Sequence, residues 1–106
     1  MPRPIPDKAE VALEYPDKLY VGTFERTSRF EAHLDNAGVA LTLERPGDES
    51  VRKSVHLHIH YGLLAGILRE LAASVDKISP DDTVHREELT TAVAALHAAL
   101  APKRRR

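Results

Sequence analysis

Three histidines occupy alternate positions in the stretch SVHLHIHYG, Ser54 to Gly62: His56, His58 and His60, with Leu57 and Ile59 between them. Imidazole binds transition metals, moves protons near neutral pH and changes charge on mild acidification. Alternate residues of a strand stand roughly 6.8 Å apart on one face, twice the rise per residue. Two neighbours at that spacing can converge on one zinc ion, whose bonds to nitrogen are roughly 2.0–2.1 Å long. The first and third of the run, twice as far apart, cannot share it. A metal site therefore needs two of the three plus a neighbour. The candidate set is His33, Asp35, His56 and His58, with zinc or another transition metal as cofactor. The competing expectation needs no cofactor: the histidines line the polar side of a sheet, in water or against another subunit. His85 and His97 are expected on a helix surface.

The elements that must position these residues follow from periodicity. RFEAHLD sets Phe30, Ala32 and Leu34 against Arg29, Glu31, His33 and Asp35. GVALTLER sets Val39, Leu41 and Leu43 against Ala40, Thr42 and Glu44. VRKSVHLHIH sets Val55, Leu57 and Ile59 against Ser54 and the three histidines. With the strand-like KLYVGTF, from Lys18, this predicts a half-buried sheet of four strands. The breaks ERTS, DNAG and PGDES are short and rich in turn formers, so the sheet is an antiparallel meander. KAEVALEY, Lys8 to Tyr15, fits helix and strand templates about equally. After Tyr61 the period changes. Leu64, Ile67, Leu68, Leu71 and Val75 predict a helix from about Tyr61 to Asp76. Val84, Leu89, Val93, Leu96 and Leu100 give a second helix its apolar stripe. Ser79 is its expected cap, with Pro80 in the first helical position and Thr83 a rival cap.

The expected fold class is α+β: a two-layer ββββαα domain, a four-stranded antiparallel meander with two C-terminal helices packed on one face. The domain spans residues 18–102. Residues 1–17 form an extended arm with Pro2, Pro4 and Pro6, and residues 103–106 a basic tail.

Side-chain parity suggests a register. Pairing Leu41 with Val55 places Glu44 beside Arg52, an opposite-charge match that favours the choice. It also places Ala40 beside His56 and Gly38 beside His58. The DNAG hairpin pairs Leu34 with Val39 and His33 with Ala40, and a similar first hairpin puts Tyr20 beside His33. The polar face then carries a row Tyr20, His33, Ala40, His56.

Composition narrows the functions. The chain has 106 residues, 42% hydrophobic and 29% charged, with a net charge of −1. This suits one folded domain and argues against a surface built throughout for nucleic acid. No cysteine is present, which excludes disulfides, thiolate nucleophiles and Cys-type zinc sites. MPRPIPDKAE has no apolar core segment, and the longest apolar run is interrupted by Arg69 and Glu70, so a cytoplasmic protein without a membrane span is expected. The leading expectation is a small interaction module that forms a homodimer or larger oligomer, with room for another protein partner. Its contact surface is the exposed sheet face: Tyr20, Phe24, His33, His56, His58 and His60. A metal-dependent enzyme on the same face is the first alternative. A nucleic-acid accessory protein using Lys103, Arg104, Arg105 and Arg106 is the second. On such a covered face the histidines would be held neutral, and acidification would weaken the assembly. Pairing of Asp35 or Glu31 with a protonated histidine would reverse that sign.

Overall fold

The computed structural model describes residues 2–47 and 52–101. Its elements are β1 (Arg3–Pro4), β2 (Ala9–Tyr15), β3 (Lys18–Phe24), β4 (Arg29–Leu34), β5 (Gly38–Arg45), β6 (Lys53–His60), α1 (Tyr61–Ala73), a 3₁₀ turn (Val75–Lys77) and α2 (Thr83–Leu100). The fold is α+β, with strands first and helices last. The chain divides into two compact units, Met1–Ile67 and Leu68–Arg106.

In the first unit a four-stranded antiparallel sheet has the order β1-β4-β5-β6. Strands β4 and β5 pair as their alternation predicts, with His33 opposite Ala40 and Leu34 opposite Val39. Strands β5 and β6 keep the predicted parity but slide by two residues. Leu41 pairs with Leu57, Ala40 with His58 and Gly38 with His60, and Glu44 lies opposite Ser54 rather than Arg52. A slide of two leaves every side chain on its own face. One apolar face carries Phe30, Leu41, Leu57 and Ile59, and the opposite face carries the histidines.

The fourth strand of that sheet is not Lys18–Phe24. KAEVALEY resolves into β2, which pairs with β3 from Ala9–Phe24 to Tyr15–Lys18 as a separate two-stranded sheet. The turn between them is only Pro16 and Asp17, residue types that suit tight turns. So Tyr20 lies opposite Leu13, not beside His33. The vacated place beside β4 goes to the N-terminal arm: Arg3 pairs with Phe30 and Pro4 with Arg29, and the Ile5 N–H donates to Ser28 O at 3.1 Å. Among the described residues the buried apolar side chains are Ile5 and Phe24. Lys53 lies over the Phe24 ring at 5.2 Å, so a β6 side chain covers a β3 aromatic.

In the second unit α2 starts one residue after Asp82, which caps it in place of the expected Ser79 or Thr83. The Asp82 carboxylate accepts from the His85 N–H at 3.2 Å and pairs with the His85 ring at 2.8 Å. Ser79 instead closes the preceding turn, its hydroxyl accepting from the Asp81 N–H. Arg86 donates to the carbonyls of Ile78 (2.6 Å) and Ser79 (3.1 Å), binding the first turn of α2 to the segment before it. α1 ends at Ala73, three residues before the predicted Asp76, and the chain tightens into the 3₁₀ turn. Neither helix buries a residue. Among the described residues no helix is long and apolar enough to cross a membrane.

Two substitutions probe this packing. A Cβ on Gly38 would stand 2.1 Å from Ile59 O and 2.7 Å from His60 Cα, both backbone atoms that cannot rotate away. Gly38→Ala should therefore destabilise the fold by about 1–3 kcal/mol, as overpacking does, measured by urea unfolding. Ser28 is 1% exposed, and its hydroxyl has no hydrogen-bond partner among the described residues. Replacing an unsatisfied buried hydroxyl removes a desolvation cost. Ser28→Ala should leave the urea midpoint unchanged or raise it.

Candidate functional site

The residues with chemical potential gather where β4 turns into β5 and β6 runs into α1. DNAG begins with an aspartate that can bond its own turn, and ends with a glycine under the neighbouring strand. Asp35 Oδ1 accepts from the N–H groups of Ala37 (2.8 Å) and Gly38 (2.9 Å). The same carboxylate meets His58 Nε2, at 3.0 Å from Oδ2. Tyr61, the first residue of α1, closes the cluster. Its N–H donates to Ala37 O at 3.3 Å and its hydroxyl donates to Asp35 O. The His60 ring stands edge-on to His58, with centroids 4.9 Å apart.

The four side chains expected to share a metal are distributed differently. Asp35 and His58 are paired. His56 shares a hydrogen bond with Thr42 Oγ1, 3.2 Å from its Nδ1, directly across the ladder. His33 lies opposite Ala40, whose other neighbour is His58, so the row across the sheet reads His33, Ala40, His58. Among the described residues no group of three or more His, Cys, Asp or Glu side chains is placed to hold a metal ion. Asp35 with His58 offers two donors at most, and a stable zinc site takes three or four from the protein.

The expected contact residues are likewise divided. Phe24 is 1% exposed and belongs to the buried interior, while Tyr20 is on β3, where its ring meets Tyr15 edge-on at 6.1 Å. His33, His56, His58 and His60 share the polar face. Lys103, Arg104, Arg105 and Arg106 lie outside the described residues.

No family model, curated protein or solved structure matches this chain. The site is therefore read from its geometry. An Asp–His pair can orient an imidazole as a base. Here the pair sits on an exposed face, with side chains 42% and 40% accessible, and ties a turn to a strand. A cleft of about 240 Å³ on the polar face is lined by Arg29, Glu31, Thr42, Glu44 and His56, among others. It mixes both signs of charge and favours no single ion. A larger cleft of about 560 Å³, bordered by Val21, Gly22, Arg45 and Lys53, is lined by none of the histidines. What sequence reasoning missed is Tyr61. Its position at a strand-to-helix junction looks structural until the DNAG carbonyls are found within its reach.

The Ala37 and Gly38 N–H groups, with His58 beside them, hold the Asp35 carboxyl at about 2, below its ordinary 3.8. His85, through its ring and then its N–H, likewise lowers Asp82. A carboxylate whose folded pKa is depressed stabilises fully above its unfolded value. That contribution is lost as pH falls through the folded one. Stability of the sheet unit should thus fall as pH drops from 3.8 toward about 2. Asp35→Asn should flatten this part of the profile, measured by chemical unfolding at stepped pH. An unchanged slope in the variant would mean that the carboxylate does not anchor the turn.

Proposed function

We propose that this chain is a small interaction module that works as a homodimer or larger self-assembly. What supports the reading is the balance between its buried and its exposed apolar side chains. Two hydrophobic residues, Ile5 and Phe24, are buried among the described residues, while seventeen large ones are at least 40% exposed. Phe30, Val39, Leu41, Leu43, Val55 and Ile59 are only half-buried. A second copy that takes exposed leucines and valines out of water supplies the missing burial, and a short chain gains most from it.

The contact is carried by apolar surface rather than by the histidines. Leu13, Leu19 and Val21 project from the hairpin, Leu34 and Leu57 from the apolar side of the sheet, and Leu89, Val93 and Leu100 from α2. The polar face is better satisfied in water, since His56 and His58 each have a partner of their own.

The test is sedimentation equilibrium of purified protein at micromolar concentration, with thermal unfolding at several concentrations. The expected outcome is a dimer or larger species whose midpoint rises with concentration. A folded monomer with a concentration-independent midpoint would remove this reading.

A further inference from the structure

The apolar face of the sheet ends in two cations. Along β5 and β6 that face pairs Val39 with Ile59, Leu41 with Leu57 and Leu43 with Val55, and the next pair in the ladder is Arg45 with Lys53. Like charges directly opposite each other repel. Neither has a carboxylate partner among the described residues. Lys53 is half-buried, and its ammonium lies 5.2 Å from the centre of the Phe24 ring, a cation–π contact that holds it in place. The β2–β3 hairpin supplies the neighbouring wall. Val11 pairs with Gly22 on the side of the hairpin that also carries Phe24. A Cβ on Gly22 would stand 3.6 Å from Lys53 Nζ, so the bare glycine leaves space beside the ammonium.

These groups border the cleft of about 560 Å³, a size within the range of small-molecule sites. Val11, Ala12 and Gly22 give it apolar lining, and Arg45 and Lys53 give it adjacent positive charges. Glu10 and Glu25 also border it, and Glu10 pairs with Lys8 at 3.8 Å. The cleft around His56 is built differently: there Arg29 stands opposite Glu44 in the ladder, so the charges answer each other.

We propose that this cleft binds a single carboxylate carried on an aliphatic or aromatic body. The carboxylate lies between Arg45 and Lys53 and relieves their repulsion. The guanidinium can offer it two parallel N–H donors. The apolar body lies along Val11, Ala12 and Gly22 and gains by leaving water. Glu25 has no cation partner among the described residues, so it disfavours a ligand with a second negative charge, such as a phosphate monoester. The site belongs to one copy of the chain and does not rest on self-association.

The probe is octanoate, added to the full chain, with octanol, octylamine and octyl phosphate as comparisons. Binding is read from backbone amide NMR shifts. Octanoate should give saturable shifts at Val11, Gly22 and Lys53, octanol and octylamine none, and octyl phosphate weaker binding than octanoate. Lys53→Met keeps an unbranched apolar side chain over Phe24 and removes the charge. Combined with Arg45→Gln it should weaken octanoate about tenfold or more, the effect of losing a charge-assisted hydrogen bond. Gly22→Val suits a strand, fills the space beside Lys53 and should abolish binding. Should that variant fail to fold, the charge variant and the ligand series decide alone. No saturable shift with octanoate, equal shifts with octanol or octylamine, tighter binding of octyl phosphate, or undiminished binding by the charge variant would each overturn the proposal.

Discussion

Gly38 is pressed against the end of β6 so closely that no side chain fits between the two backbones. That approach fixes three things at once. It sets the β5–β6 register, because Gly38 must lie opposite His60. It places Asp35 where its carboxylate can bond both the turn and His58. It also brings the Ala37 carbonyl to the Tyr61 N–H, which α1 leaves without an intrahelical partner at its first turn. In a register shifted by two, Gly38 would face His58, and Tyr61 would stand two residues beyond the reach of Ala37. The histidine row, the anchored turn and the helix start are thus one geometric solution.

The faces of the sheet were legible in the sequence because their period is strict. Any register that respects parity puts Leu41, Leu57 and Ile59 on one side and His56, His58 and His60 on the other. Parity cannot distinguish registers two residues apart, however, and the Glu44–Arg52 pairing was attractive chemically but not adopted. Exposed opposite charges contribute only tenths of a kcal/mol. Gly38, opposite His60, leaves room there for the β6 backbone to come close. The β2–β3 hairpin was hidden for another reason. Lys8 to Tyr15 has no clear apolar face, since β2 is paired to a single strand and largely exposed. No core imposes a pattern on it. The candidate site was half legible. The residue types and their face were readable, but the partners of Asp35, His56 and His58 depend on the register, and Tyr61 depends on a contact 26 positions away.

The two classes of surface side chain are in opposite states. On the polar face the groups that can donate or accept have found one another locally, so water is an adequate neighbour for the remainder. The hairpin, the apolar sheet face and α2 have no such local remedy. Leucine and valine gain only from being covered. The polar partners meet across neighbouring strands, while the leucines and valines of the hairpin and of α2 stay largely exposed.

The N-terminal arm has a consequence of its own for how that surface is satisfied. Just past β1 the Ile5 N–H turns inward to Ser28, so residues of the other parity turn their backbone nitrogens outward. Those residues are Pro2, Pro4 and Pro6. Proline has no N–H to offer. An incoming strand meets acceptors there but no donors, and cannot zip onto the sheet from that side. The arm works as a selvedge, finishing the woven edge so that it neither frays nor takes up further thread. Chains with this much apolar surface are prone to stacking into β-rich aggregates. With that margin finished, the sheet offers a further strand no row of donors along the arm.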